Sequence, residues 1–362
     1  MPFPAGTRAG TLSRTEMRTT ISARLQAAWT GRGVLACLLW PLSLLMRLAV
    51  TLQRLGFRLG LIRSYRLPVP VIVVGNLIVG GAGKTPTVMA VVALLKQMGW
   101  RPGIVSRGYG RPLDTVQEVH ATTPASESGD EPLLLHLRCA VPVVVGRDRV
   151  AAAQQLLRAH PEINVIVSDD GLQHHRLERD IQLVVFDERG AGNGWLLPAG
   201  PLREPLTRTP PPRTVVIYNA AQASTPWPGE TVQRSLAGAV LLGDWWAGRP
   251  ACMKTLTALK FKPVCAVAGM ARPERFFSLL RHAGFSRLQT APLPDHFHFD
   301  SLPWPADALD VIVTEKDAVK LKPSDMGAAR VWVAPLNFAL HPDSQEALLA
   351  LLSLLAPLQS PH

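Results

Sequence analysis

The sequence predicts an α/β protein with a parallel-sheet core of the phosphate-loop (P-loop) kind. A second, smaller α/β domain and an N-terminal amphipathic helix suited to a membrane surface complete it. Three observations carry this reading. Val71 to Thr85 runs as strand, glycine loop, lysine and hydroxyl. Behind it, strand-like and helix-like runs alternate, as they do in a parallel sheet. Ahead of it lies an arm rich in arginine and leucine.

Val71, Ile72, Val73 and Val74 are successive β-branched residues and predict a buried strand. Beyond Pro86 the spacing of Val88, Val91, Val92 and Leu95 predicts an amphipathic helix ending at Gly99. Between them Ile78, Val79, Gly80, Gly81, Ala82, Gly83, Lys84 and Thr85 form a cradle for a nucleoside triphosphate. Its glycines let backbone N–H groups close on phosphate oxygens, Lys84 reaches the terminal phosphates, and Thr85 can hold Mg²⁺. The strict pattern G-x-x-x-x-G-K-[ST] fails at its first glycine, which falls on Ile78. The plainer alternative is a glycine-rich turn between strand and helix. The segment Thr314 to Asp317, T-E-K-D, lacks the residue order of the guanine-reading N-K-x-D, which favours ATP over GTP.

The chain has 362 residues and a formal charge of +11, but that charge is unevenly placed. Residues 1–66 hold ten arginines against one acid, Glu16, so a net +9 sits there and only +2 remains for the other 296 residues. A nearly neutral body argues against a nucleic-acid binder. Residues 1–32 read as a basic, disordered extension. Gly33 to Met46 is uncharged, yet at fourteen residues it is shorter than the roughly 20 needed to span a bilayer. In the continuation, Arg47, Arg54 and Arg58 fall within about 40° on a helical wheel, with leucines filling the remaining arc. Residues 33–66 therefore predict a basic amphipathic helical segment lying on anionic lipid, its arginines reaching the headgroups. The alternative is a helix packed on the protein's own core. Four scattered cysteines match no zinc or disulfide spacing, which fits a reducing, cytosolic-side setting.

Within a core assigned to residues 67–221, further strands are predicted at Gly103 to Ser106, Val141 to Val145, Ile163 to Ser168, Ile181 to Phe186 and Thr214 to Tyr218. Residues 222–261 read as a linker with a strand ribbon at Val232 to Leu242. The smaller domain, 262–362, has strands at Pro263 to Ala268, Ser286 to Thr290, Asp310 to Thr314 and Arg330 to Val333, and the apolar helix Gln345 to Leu355 closes it.

Phosphoryl transfer needs a metal, charge neutralisation and a positioned nucleophile, often with a carboxylate base. Asp169 and Asp170 follow an apolar strand, where a metal-holding carboxylate belongs, and two adjacent carboxylates favour a divalent cation between or beside them. Arg107, Arg111, Arg147, Arg149 and Arg203 sit in loops after strands and could grip phosphate. Asp130 in G-D-E-P reads equally as a helix-start device, and His296 in P-D-H-F-H-F equally as a packed histidine. Spacing alone does not bring the two together.

The chain resembles the tetraacyldisaccharide 4'-kinase family. The resemblance rests on V-G-N-L-I-V-G-G-A-G-K-T-P, V-S-R-G-Y-G-R, G-D-E-P, D-D-G-L-Q-H, G-N-G-W-L-L-P-A-G-P-L-R-E-P, D-H-F-H-F and V-T-E-K-D-A-V-K, in one order from Val74 to Lys320. It implies ATP-dependent phosphorylation of the 4'-hydroxyl of a tetraacylated disaccharide 1-phosphate, giving lipid IV-A. It further implies that Ile78 to Thr85 bind ATP and that Thr85, Asp169 and Asp170 form the Mg²⁺ region, with Glu204 a further contributor. Asp130 would be the base and His296 its partner. Arg107, Tyr109, Arg147, Gln173 and Arg203 would be secondary site residues, and the role of His298 stays open. The site would lie between the two domains. A four-chain acceptor stays in the bilayer, so the implied place is the cytoplasmic face of the inner membrane, with the protein peripheral or monotopic. No nucleic acid and no obligate protein partner is expected.

Two other readings compete. A nucleotide-switch protein of the partitioning or metallochaperone kind also carries G-G-x-G-K-T, but usually with a lysine where this chain has Val79. A basic nucleic-acid-binding ATPase is disfavoured by the confinement of charge to residues 1–66.

Overall fold

The computed structural model describes residues 25–111 and 114–355. Residues 1–24 of the expected extension lie outside the described residues. From Leu25 onward the chain is not a free arm. A helical turn at 25–28 is followed by Trp29, whose Nε1 donates to Pro198 O at 2.9 Å. Asn193 Nδ2 in turn donates to Gly31 O at 3.0 Å.

The uncharged and arginine-bearing stretches join into one 25-residue helix, Val34–Arg58, which runs through Pro41. It is long and apolar enough to cross a membrane by length and composition. Its buried residues are Ala36, Ser43, Val50 and Gly56, a stripe of near-heptad spacing laid on the body. Leu38, Leu45, Leu48 and Leu52 face outward and are more than half exposed. Arg47 and Arg58, expected together with Arg54 to reach headgroups, are also exposed. Arg54 departs from that expectation. It turns inward and pairs with the buried carboxylate of Glu204, because a desolvated carboxylate needs a cation.

The main sheet has the order β3-β4-β2-β5-β1-β6-β7-β8. Its strands are β1 Val71–Gly75, β2 Pro102–Ser106, β3 Gln117–Glu118, β4 Val143–Val145, β5 Val165–Asp169, β6 Ile181–Asp187, β7 Thr214–Asn219 and β8 Glu230–Thr231. Only β3 runs antiparallel, against β4. Both faces of the central strands are covered, so those strands read as largely apolar runs. Ile72 and Val74 pack with Val88, Val91 and Leu95 of the helix Lys84–Gln97. Val71 and Val73 face the opposite way, in a cluster with Val150 and Leu156 of the helix Arg149–Ala159.

A second sheet has the order β10-β14-β13-β11-β12, from β10 Val240–Leu241, β11 Val264–Gly269, β12 Leu288–Leu293, β13 Asp310–Val313 and β14 Arg330–Val333. A two-stranded ribbon, β9 Gln233–Leu236 with β15 Leu336–Ala339, joins the two. Two expectations change here. The smaller sheet takes in Val240–Leu241, so this unit begins before Lys262. The last helix, Pro342–Ser353, does not close the smaller unit, because the ribbon carries the chain back and the helix packs on β6 and β7. Its apolar face is then buried beneath the first sheet's edge rather than the second's.

Candidate active site

In the first sheet β5 lies beside β1, with Val74 in register with Asp169. The loop after β1 and the turn after β5 therefore open at the same carboxyl edge, where ligands of open α/β sheets bind. A cleft of about 1640 Å³ runs from this edge across to the smaller unit.

The phosphate loop is shaped by two glycines in the left-handed region, Gly80 at φ 94 and Gly83 at φ 95. At Gly83 a Cβ would sit 2.1 Å from Asn219 Nδ2, which instead donates to Ala82 O at 2.8 Å. Asn76 Nδ2 donates to Gly80 O at 3.0 Å, and Lys84 Nζ donates to Asn76 Oδ1 at 3.5 Å. Arg189 Nη1 bonds Val79 O at 2.9 Å. The two asparagines and this arginine hold the loop by its carbonyls, which leaves amides for a ligand. First-turn amides of the helix Lys84–Gln97 have no intrahelical acceptor and suit an anion. The predicted cradle residues differ in exposure. Ile78 is fully buried in the core with Leu202, and the Val79 N–H is already given to Pro201 O. The Ala82 side chain is also fully buried, while Val79, Gly80, Gly81, Gly83, Lys84 and Thr85 line the cleft.

The two aspartates after β5 differ. Asp169 is buried and accepts from Ser106 Oγ at 3.0 Å. Burial, with the Glu131 and Asp170 carboxylates nearby, pushes its carboxyl up to about 7. Its Oδ1 is buried with no hydrogen-bond partner among the described residues. Asp170, at φ 48, turns its carboxylate toward Lys84 Nζ at 3.7 Å and Arg203 Nη1 at 3.2 Å. Burial works to raise its pKa, but the two cations outweigh that and hold it below the usual range. Gln173 Oε1 accepts from the same Arg203 at 3.2 Å.

Asp130 starts the helix Asp130–Cys139 and is buried. Across the cleft His296, held at φ 61, places Nδ1 3.0 Å from both Asp130 oxygens. Burial opposes ionisation of Asp130, yet the His296 hydrogen bond and Lys316 bring its pKa below the ordinary value. The same hydrogen bond raises His296, against burial and Lys316. Tyr109 lays its ring over the histidine with centroids 5.3 Å apart. Two residues that spacing could not connect thus form one pair between the two sheets.

The remaining expected residues divide. Arg107 lines the cleft, as does Arg147, whose Nη1 is engaged with Asp114 at 3.1 Å. Arg149 is buried and donates to Asp170 O at 3.3 Å, so it braces the aspartate turn. Glu204 lines the cleft too, but its carboxylate is occupied by Arg54 and, at 3.5 Å, by His175 Nε2. That pairing anchors the N-terminal helix at the cleft. Asn76, Asn219, Arg189 and Lys316 were not identified from the sequence. Asn76 and Asn219 stood at or just after strand ends, a weak signal. Arg189 carried none beyond its charge, and Lys316 lay in the T-E-K-D segment, which was compared only with a guanine-reading motif.

Asp169 Oδ1, buried without a partner and beside a second carboxylate, fits a divalent cation. The cleft can therefore hold a triphosphate on the loop, a cation beside it and a deprotonating pair opposite.

A family model described as LpxK, Tetraacyldisaccharide-1-P 4'-kinase, matches residues 35–353. The tetraacyldisaccharide 4'-kinase of Methylibium petroleiphilum is 56% identical over 349 residues, covering 95% of this chain and 97% of its own. That of Leptothrix cholodnii is 54% identical over 336 residues, covering 92% of this chain and 96% of its own. The crystal structure of an "apo" form of LpxK from Aquifex aeolicus in complex with ATP superposes with a TM-score of 0.71 at 26% identity, over 88% of this chain and 99% of that one. The chain belongs to the tetraacyldisaccharide-1-P 4'-kinase family.

Proposed function

We propose that this chain transfers the γ-phosphoryl group of ATP to the 4'-hydroxyl of a tetraacyldisaccharide 1-phosphate, giving lipid IV-A, at a membrane surface. The observation that carries the reading is the Asp130–His296 pair, set in the same cleft as the glycine loop and the Asp169–Asp170 turn. The membership of the family points to the same acceptor.

The residues divide the work. Gly80 to Thr85 receive the triphosphate, and Lys84 neutralises its terminal phosphates. Asp130 takes the proton of the sugar hydroxyl as the hydroxyl oxygen forms its bond to the γ-phosphorus. The bond from that phosphorus to the bridging oxygen breaks, and ADP leaves with the electron pair. His296 keeps the Asp130 carboxylate ionised and aimed, and a positioned base is worth about 10²- to 10⁴-fold. Mg²⁺, held by Thr85 and Asp169 with Asp170 alongside, would neutralise charge that develops on the phosphates. Arg203, gripped by Asp170 and Gln173, stands ready beside them. Arg107, Tyr109 and Arg147 line the acceptor side.

The outward leucines of Val34–Arg58 would lie in the acyl region, with Arg47 and Arg58 at anionic headgroups, on the cytoplasmic face of the inner membrane. Purified protein with γ-labelled ATP, Mg²⁺ and the acceptor in vesicles tests the reading. Label is expected in the lipid, as a second phosphate monoester at the 4' position. ATP hydrolysis without lipid label would overturn it.

A further inference from the structure

The T-E-K-D segment, unassigned by the reading above, lies behind the Asp130–His296 pair. Each of its four side chains is engaged. Thr314 caps the helix Glu315–Ala318 and its Oγ1 donates to Asp317 Oδ2 at 2.7 Å. Asp317, fully buried, accepts from Gly269 N and from Lys320 Nζ, each at 3.0 Å. Glu315 accepts from Trp245 Nε1 at 3.0 Å and pairs with Arg138 Nε, across the cleft, at 3.0 Å. Lys316 Nζ donates to Glu131 Oε1 at 3.1 Å and to Asp295 Oδ1 at 2.9 Å.

Those last two partners are informative. Glu131 is the chain neighbour of Asp130, on the first sheet's side. Asp295 is the chain neighbour of His296, on the second sheet's side. One ammonium, its side chain 19% exposed, therefore ties the residue beside the base to the residue beside its partner. His296 sits at a positive φ that a non-glycine residue holds only under outside constraint, and Asp295 lies directly before it. The helices on which Asp130 and Lys316 lie also touch, with Arg138–Glu315 as a second ion pair further along.

We propose that Lys316 is a positioning residue that assembles the base across the cleft, through Glu131 on one side and Asp295 on the other, so that Asp130 and His296 meet only when both arms are engaged. Its ammonium bonds Glu131 and Asp295 and, among the described residues, neither Asp130 nor His296. This rests on the reading of Asp130 as the base, while its geometric core, the dependence of the Asp130–His296 bond on Lys316, does not.

Lys316→Met, Lys316→Arg and, as a milder break of one arm, Asp295→Asn are compared with the wild-type full chain. Lys316→Met is expected to lower kcat at least tenfold while KM for ATP changes less than twofold, and Lys316→Arg to recover most of the loss. In imidazole-detected NMR, the hydrogen-bonded Nδ1 proton of His296 is expected in wild type and Lys316→Arg, and absent or weakened in Lys316→Met and Asp295→Asn. An unchanged His296 resonance in folded Lys316→Met overturns the proposal. So does a parallel fall in kcat, ATP affinity and thermal stability that arginine does not rescue. Should Lys316→Met not fold, an unperturbed His296 bond in Asp295→Asn overturns it instead. If wild type transfers no phosphate to the lipid, the kinase reading fails on its own, and the NMR comparison still decides the clamp.

Discussion

Arg54, on the outward-facing N-terminal helix, pairs with the buried carboxylate of Glu204, the residue next to the Arg203 that grips Asp170. The long apolar helix is thereby tied to the phosphate end of the cleft. Ser43 Oγ adds a second tie to the same loop, donating to Leu196 O at 2.8 Å and accepting from Ala199 N at 3.0 Å.

Arg54→Met leaves Glu204 buried beside His175, with the Arg179 guanidinium nearby. Its expected cost is about 1–3 kcal/mol in denaturant unfolding, less than for a fully buried pair because Arg54 is 32% exposed. Turnover should fall several-fold through the displaced Arg203, while flotation with vesicles stays at the wild-type level. Lost flotation with normal turnover would show that Arg54 serves lipid binding instead.

Leu45 and Leu52 are 64% and 57% exposed and touch the body little, so Leu45→Glu with Leu52→Glu should leave the fold intact. Withdrawing two leucines from the acyl region should weaken partition into anionic vesicles about 100-fold or more, at roughly 1.5–3 kcal/mol each. Sedimentation with vesicles measures it, with thermal unfolding as the control.

The glycines of the loop make a contrast. Gly83→Ala forces a Cβ toward Asn219 at a positive φ, whereas at Gly81 a new Cβ meets nothing nearer than Ala271 at 3.9 Å. Gly83→Ala should cost about 1–3 kcal/mol and weaken ATP binding at least tenfold. Gly81→Ala should leave stability within about 0.5 kcal/mol. Calorimetric unfolding and ATP titration of both variants check the difference.

The Asp130–His296 pair sets a pH dependence. His296 is raised above 6.5 by its bond to Asp130, so its stabilisation is full below 6.5 and fades as pH rises through the raised value. Asp130 is lowered below 3.8, so its share is full above 3.8 and is lost as pH falls through the lowered value. The pair therefore stabilises most between 3.8 and 6.5. In Asp130→Asn the larger remaining influences on His296, burial and Lys316, act to lower it, against a smaller upward pull from the Asp295 carboxylate. Its midpoint should move from above 6.5 to below it, as read from imidazole NMR.

Much of the core was legible because its strands are covered on both faces. Val71 to Val74 reads as an unbroken apolar run and Ile181 to Phe186 as one interrupted only by Gln182, and the structure extends each by one residue, to Gly75 and Asp187. The two-residue strands Gln117–Glu118 and Glu230–Thr231 carry no such pattern and were not anticipated. Helix Gln345 to Leu355 was found, but its apolar face does not say which sheet it will cover. At the site, Lys84 and the aspartate turn followed from position after a strand. The Asp130–His296 contact, between residues 166 apart, came only from the family resemblance, since local spacing is blind to sheet order. The Arg54–Glu204 pair was illegible for the same reason: nothing near Glu204 in the chain announces Arg54.

The central claim is that Asp130 removes the acceptor's proton in a cleft already holding ATP. Single-turnover transfer from bound ATP to the tetraacyl disaccharide 1-phosphate, measured for wild type and Asp130→Asn with ATP affinity determined on the same samples, tests it most directly. The account predicts a transfer rate reduced about 10²- to 10⁴-fold with ATP affinity unchanged within about threefold. Transfer at the wild-type rate in Asp130→Asn would contradict it.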